Sequence, residues 1–216
     1  MKHRETMLLV LGLIGTWGIV GAATAQEYYA DNFSQNTIGN YESAGGAKWQ
    51  VKKGELVSEG AGADWNVLLV KKKFWKGWTD YTYEVKVVPK RSGSEFIYIT
   101  FRYTQKLGVD RQNFFTYLMD GSNVVGLYID KFLNGARTRP VPNTMTFEGK
   151  WKNEKDVLSE IKLEVTSKTI SGYLNGKQQF KPIKDDNLVD GRIGLGIWGR
   201  MPTLMIWPST VLRDGP

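Results

Sequence analysis

The residues best suited to chemistry are aromatic rings beside a guanidinium. Tyr98, Thr100 and Arg102 alternate with Ile97, Ile99 and Phe101. In an extended strand, alternate side chains share a face. A planar guanidinium next to a ring can hydrogen-bond sugar hydroxyls while the ring covers the apolar side of the sugar. Trp198 and Arg200 repeat the pairing at the end of another alternating run. Tyr98, Arg102, Tyr117, Tyr128 and Trp198 are therefore the expected carbohydrate-binding set. The plainer reading is that Arg102 pairs with an acid on a neighbouring strand and Tyr98 is cross-strand packing.

Composition closes off other chemistry. The 216 residues contain no cysteine and one histidine, His3. Disulfides, thiol nucleophiles, iron–sulfur clusters and thiolate zinc sites are excluded. His3 lies in a leader that reads as removed, so imidazole triads and His-ligated zinc, copper and iron are excluded too. Carboxylates, Lys, Tyr and an oxygen-ligated cation remain. No metal or organic cofactor is otherwise expected.

A second aromatic group combines Trp65, Trp75 and Trp78 with Lys71, Lys72, Lys73 and Lys76. Interleaved basic and aromatic residues suit an acidic polysaccharide or single-stranded nucleic acid. The plainer alternative is a solvated Lys-rich strand end with Trp packed beneath it.

Residues 1–25 have the form of a signal peptide. Lys2, His3 and Arg4 are positive, Met7 to Gly21 is apolar, and Ala23-Thr24-Ala25 is a small-x-small cleavage site before Gln26. A periplasmic or secreted protein is expected, with no membrane span after cleavage. That address argues against a nucleic-acid partner. Removing Lys2, Arg4 and Glu5 from 29 basic and 22 acidic residues leaves 27 against 21, a net charge near +6. This moderate surplus leaves room for an acidic glycan without being that of a dedicated nucleic-acid binder.

The elements that must hold these side chains are strands. Tyr81, Tyr83, Val85 and Val87 alternate with polar residues, as do Ile161, Leu163 and Val165, and Ile193, Leu195 and Ile197. Each run reads as a strand with one buried face. Lys53-Gly54, Asp120-Gly121-Ser122, Leu133-Asn134-Gly135 and Asn175-Gly176 are turn signals, and Asn175-Gly176 is the clearest hairpin. About a dozen strands at this spacing predict an all-β, two-sheet antiparallel sandwich or jelly roll over residues 26–216 as a single domain. Residues 138–155, with Pro140 and Pro142, read as the longest irregular loop.

Several segments resemble the concanavalin A-like (laminin G-like) jelly-roll superfamily, in the same order along the chain. They are Asp31-Asn32-Phe33, Trp49 to Leu56, Phe101-Arg102-Tyr103, and Gln112-Asn113-Phe114-Phe115. Trp151-Lys152-Asn153, Ile161 to Val165, Tyr173 to Lys177 and Gly191 to Leu195 follow. The resemblance implies two stacked sheets, one concave, with sugar held there or at its rim. Tyr98, Arg102, Tyr117, Tyr128 and Trp198 are the residues expected on that concave surface, although alternation alone does not decide which face of a strand is concave.

The superfamily also includes glycosidases and, more distantly resembled, a 3-keto-disaccharide hydrolase group. The glycosidase strand motif E-x-D-x-x-E is absent. Its nearest string, Glu160-Ile161-Lys162-Leu163-Glu164, has Lys in the middle and reads as a solvated strand face. For the keto-disaccharide group, Ser92-Gly93 and Arg102 are similar to one element. Phe115 stands where a second element has Glu, once Asp120 is aligned. Glu95, Asp110 and Asp120 are the catalytic candidates under that alternative. The resemblance further admits a structural calcium ion, with Asp31, Asn32 and Asp214 as oxygen ligands where the chain ends meet. The expected function is non-catalytic carbohydrate binding. The alternatives are keto-disaccharide hydrolysis and a structural or protein-contacting envelope domain.

Overall fold

The computed structural model describes residues 26–59, 66–74, 77–89, 96–104, 114–120, 126–144, 156–198 and 204–213. The signal-like segment 1–25, and with it any export, lies outside them. Among the described residues there are sixteen strands. They are β1 (Gln26–Asp31), β2 (Tyr41–Ala44), β3 (Lys48–Lys52), β4 (Glu55–Glu59), β5 (Asn66–Val70), β6 (Tyr81–Pro89), β7 (Phe96–Tyr103) and β8 (Phe114–Asp120). The rest are β9 (Gly126–Leu133), β10 (Ala136–Thr144), β11 (Ser159–Val165), β12 (Thr169–Leu174), β13 (Lys177–Gln178), β14 (Ile183–Lys184), β15 (Arg192–Trp198) and β16 (Leu204–Arg213). The helical content of these residues is one 3-10 turn, Ile38–Asn40.

The strands form two sheets, and every pairing is antiparallel. A seven-stranded sheet has the order β10-β9-β8-β7-β15-β5-β2. A nine-stranded sheet follows β13-β12-β11-β6-β16-β4-β3, with β1 on β16 and β14 on β12. Non-sequential neighbours such as β7-β15 and β6-β16 make the jelly-roll crossovers. The all-β antiparallel sandwich read from the alternation is the fold observed.

The alternating apolar residues meet between the sheets. Leu68, Val70, Ile97, Ile99, Phe101, Ile193, Leu195 and Ile197 face Tyr81, Tyr83, Val85, Val87, Ile161, Leu163 and Val165 in one core. Each buried aliphatic side chain contributes roughly 1.5–3 kcal/mol. Across the other face of the nine-stranded sheet run Glu84, Lys86, Glu160, Lys162 and Glu164, with Lys86 and Glu160 paired at 2.8 Å. Glu160 and Glu164 thus sit on a solvated charge ladder.

Hairpin chemistry fixes the register. Asn134 and Gly135 have φ of 50° and 81°, and Asn175 and Gly176 have 49° and 76°. Positive φ at both central residues gives the turn whose twist matches the flanking strands. One expectation is corrected here. Residues 138–144 continue as β10 rather than forming a loop. Pro140 and Pro142 are accommodated because β10 is an edge strand, and the ladder shifts register at Thr138/Val141 and Val141/Thr144.

Candidate functional site

The outer face of the seven-stranded sheet, turned away from the core, carries an unusual set of buried polar groups. Its central row follows the register Glu42–Leu69–Gly194–Thr100–Thr116–Asp130 across six strands. Thr100 and Asp130 are fully buried. A buried charge is costly unless it is paired. Asp130 is paired twice, by Arg137 and by Arg139 Nε at 2.9 Å. Both arginines come from β10 across the Asn134-Gly135 hairpin and remain 46% and 36% exposed. Near the other end, Arg192 is buried, donates to Glu42 Oε2 at 2.8 Å, and lies 5.6 Å from the Tyr103 ring centroid. Thr100 Oγ1 has no hydrogen-bond partner among the described residues. Val67, Leu69, Tyr98, Tyr103 and Phe132 are buried as well, yet they stand outside the main core.

Tyr98 belongs to this face, as its alternation with Ile97 and Ile99 implies. Its ring is not available for stacking, which corrects the sequence reading. It is 0% exposed, and its hydroxyl donates to the Asn66 carbonyl at 2.9 Å. The physical reason is Gly196. A Cβ built there would fall 1.9 Å from Tyr98 Cε2, so the missing side chain opens the slot that the ring fills.

Arg102 is corrected more sharply. The register between β7 and β15 jumps from Thr100↔Gly194 to Tyr103↔Arg192. Two residues of β7, Phe101 and Arg102, thus oppose one residue of β15, Ile193. This is a β-bulge, and Arg102 takes φ of 52° within it. Alternation fails at this point. The Arg102 side chain is fully buried and its Nη2 donates to the Thr166 carbonyl in the β11–β12 turn of the opposite sheet. Burial lowers the guanidinium below its ordinary value, against the opposing pull of Tyr81, Asp185, Asp80 and Asp190. Gly191 is the required neighbour of the bulge: its φ is 140°, and a Cβ there would lie 2.3 Å from the Arg102 carbonyl carbon. Lys131 reaches Asp185 at the same end of the sandwich. Arg102 and Lys131 therefore bind the two sheets together rather than face solvent.

The other expected residues separate by register. Tyr128 stands opposite Leu118, which stands opposite Tyr98; Trp198 stands opposite Phe96, two positions along from Tyr98. These positions lie in phase with Tyr98. Tyr117 stands opposite Ile99 and Ile129, one residue out of phase. The side chains of Tyr117, Tyr128 and Trp198 lie outside the described residues. So do Glu95, Asp110 and the side chain of Asp120, whose backbone pairs with Phe96 and Gly126.

Of the expected calcium ligands, Asp31 and Asn32 are described. Asp31 is buried and accepts hydrogen bonds from Phe33 N at 2.8 Å and Tyr41 OH at 2.9 Å. Asn32 is exposed, and its side-chain oxygen accepts from Ser34 N at 3.0 Å. The contacts from Phe33 N and Ser34 N are the turn contacts that Asx residues ordinarily make. Asp214 lies outside the described residues. The chain ends do pair, but Arg213 stands opposite Gln26 while Asp31 stands opposite Ser209. Among the described residues no three acidic side chains form a metal-holding group.

The basic–aromatic group divides likewise. Trp78 is buried in the core, edge-on to Tyr81 at 6.3 Å. Lys72 and Lys73 are exposed, with Lys73 Nζ 4.6 Å from the Phe74 ring. Trp65, Trp75 and Lys76 lie outside the described residues. No helix among the described residues is long and apolar enough to cross a membrane.

The residues that sequence reasoning missed are Asp130, Arg137, Arg139, Glu42 and Arg192. A signal for two of them was present. Counting outward from a two-residue turn at Asn134-Gly135 sets Leu133 opposite Ala136 and Asp130 opposite Arg139.

No protein-family model matches this chain, and no curated protein matches it. Solved structures do match in fold. The carbohydrate-binding module CBM66 from Bacillus subtilis aligns with a TM-score of 0.60 at 18% identity, over 80% of this chain and 95% of that one. The catalytic domain of an endo-1,3-beta-glucanase (laminarinase) from Thermotoga petrophila RKU-1 gives 0.63 at 12% identity, over 88% and 98%. The carbohydrate recognition domain of Emp47p gives 0.61 at 12%, over 88% and 97%. This chain thus shares the jelly-roll sandwich fold of these proteins. Resemblance to the keto-disaccharide hydrolase group finds no support among these matches.

Proposed function

We propose that this is an exported, non-catalytic glycan-binding protein, with sugar held on the outer face of the seven-stranded sheet. The observation that carries the reading is the buried, doubly paired Asp130 beneath two half-exposed arginines. A solvated sheet face has no need to bury a carboxylate. A face built to position guanidinium donors does, because the buried acid fixes the donors before a ligand arrives. Glu42 and Arg192 provide a second paired group on the same face. The exposed arginines and Glu42 touch the sugar; Asp130, Arg192 and Tyr98 hold the surface beneath. The signal-like leader supports export to the periplasm or medium. The fold shared with sugar-binding domains is consistent with a carbohydrate partner.

The described carboxylates do not favour glycoside hydrolysis. Among the described side chains Glu42 and Asp130 are the acids of this face, and five strand spacings separate them, about 24 Å; Asp120 falls in the same phase by register, with its side chain outside the described residues. Paired glycosidase carboxylates stand roughly 5–10 Å apart. The test is a screen of the full chain against a glycan array and insoluble polysaccharides, with EDTA and high-salt arms, and with 3-keto-disaccharide turnover followed in parallel. Saturable binding without turnover is the expected result. The EDTA arm reads any calcium contribution. Turnover, or silence across the screen, would overturn the reading.

A further inference from the structure

We infer that the turn at Lys71–Phe74 attaches this protein to an anionic phospholipid surface, by charge alone. The inference stands apart from the glycan-binding reading and uses none of its residues.

β5 ends at Val70, and the chain then turns, with Phe74 N donating to the Lys71 carbonyl at 3.0 Å. Lys72 and Lys73 occupy the centre of that turn and are exposed, and Lys71 is half-buried. The turn is fixed at both ends. Lys71 N donates to the Asn40 carbonyl at 2.9 Å, and the Phe74 ring lies 5.4 Å from that of Tyr29, a core residue. A second turn, Lys53-Gly54 between β3 and β4, borders the same stretch of chain at Phe33. A Cβ built on Gly54 would lie 4.0 Å from the Phe33 carbonyl oxygen. Lys53 is exposed as well. Two lysine-bearing turns thus flank residues 33–40, a segment without a charged residue.

The acids around these turns are engaged elsewhere. Asp31 is buried and accepts from Phe33 N and Tyr41 OH. Glu42 accepts from Arg192, and Glu55 stands opposite Lys52 in the ladder. Among the described residues no carboxylate pairs with Lys53, Lys71, Lys72 or Lys73. Like charges crowded on one turn repel, and an anionic surface relieves that repulsion.

The residue type favours lipid over a single gripped chain. A lysine ammonium is a compact, hydrated charge on a flexible stem, suited to a diffuse and fluid layer of phosphates; arginine's planar fork is the better match for one fixed anion. Turn tips also present their charges outward, to a surface laid across them. Each lysine near an anionic leaflet strengthens attachment about fivefold. Phe74 takes no part in insertion. Its ring is held against Tyr29, with Lys73 Nζ 4.6 Å from its centroid, and so fixes the turn. Attachment of this kind is reversed by salt.

The experiment sediments the full chain with vesicles of equal phosphatidylcholine and phosphatidylglycerol, with pure phosphatidylcholine vesicles, and with alginate-coated beads. Binding to the mixed vesicles should exceed binding to the neutral ones by about tenfold or more, and should fall by about tenfold or more in about 1 M salt. Lys71→Gln, Lys72→Gln and Lys73→Gln together should weaken it by about a hundredfold. The same three positions changed to Arg should keep it within about twofold. Lys177→Gln with Lys181→Gln, two exposed lysines beyond β12, should also keep it within about twofold. The lipid and salt comparisons use the unaltered protein, so they stand whatever the variants do to folding. No binding to the mixed vesicles, equal binding to the neutral ones, or binding that salt does not reverse would overturn the inference. So would an equal loss in the Lys177 and Lys181 variant, which would assign the attraction to overall charge. Alginate binding lost in the glutamine variant, with neither vesicle bound, would overturn it too and assign the patch to an acidic polysaccharide. The glycan-binding reading is decided by its own screen in every case.

Discussion

Tyr98 and Gly196 form one packed unit: the ring of the first occupies the volume that a side chain on the second would need, with 1.9 Å from a built Cβ to Tyr98 Cε2. The ring cannot swing aside freely, because it is fully buried and its hydroxyl is bonded to the Asn66 carbonyl. Gly196→Ala should therefore overpack the face and destabilise the fold by about 1–3 kcal/mol. Urea denaturation measures this. An unchanged midpoint would show that the ring has somewhere else to go.

Arg102 provides the second test. Arg102→Ala removes a charged donor to the Thr166 carbonyl across the sandwich, and should cost about 1.5–3 kcal/mol of stability. Glycan affinity of the folded fraction should be unchanged, because the side chain points away from the proposed face. Chemical denaturation and a binding titration on the same sample check both halves. Lost affinity with intact stability would restore Arg102 to the binding surface.

These two residues show where the sequence is readable and where it stops. The alternation in 81–87, 97–101, 161–165 and 193–197 marks the core strands because one face must exclude water. The Asn-Gly and Lys-Gly turns are equally plain. The bulge is silent, since left-handed φ at Arg102 carries no glycine to announce it, and one extra residue reverses every later face. β10 was hidden by Pro140 and Pro142, which an edge strand tolerates. Of the binding face, the phase of Tyr98 was legible. Its burial was not, because that depends on Gly196 of a strand almost a hundred residues away in sequence. The pairing of Asp130 with Arg139 was countable from the hairpin, but only once β10 is granted to be a strand.

Asp130 tests the anchoring of the arginines. Asp130→Asn keeps the shape and removes the charge that Arg137 and Arg139 share. Stability should fall by about 1–3 kcal/mol. Glycan affinity should fall by about tenfold, because the guanidinium groups lose their fixed partner. Denaturation and titration with the same polysaccharide read the two effects. Unchanged affinity would mean that the arginines need no anchor.

Alkaline pH should weaken the fold in a defined window. Burial pushes the Tyr29 phenol up to about 12, and the hydrogen bond to Glu164 pushes Tyr173 up to about 12, from an ordinary value of 10.0. Between those values the unfolded chain releases protons that the native protein keeps. Stability is therefore complete below pH 10 and falls as pH rises towards about 12. Denaturation midpoints across that window should decline, and Tyr173→Phe should reduce the decline. A flat profile would contradict the raised phenols.

The most direct test of the central claim is amide chemical-shift mapping of the labelled full chain during titration with whichever polysaccharide the screen identifies. The account predicts perturbations concentrated at Asp130, Arg137, Arg139, Thr100 and Glu42, with Glu84, Lys86, Glu160 and Lys162 on the opposite sheet unmoved. Perturbations confined to the nine-stranded sheet, or to the sandwich end around Arg102, would contradict it.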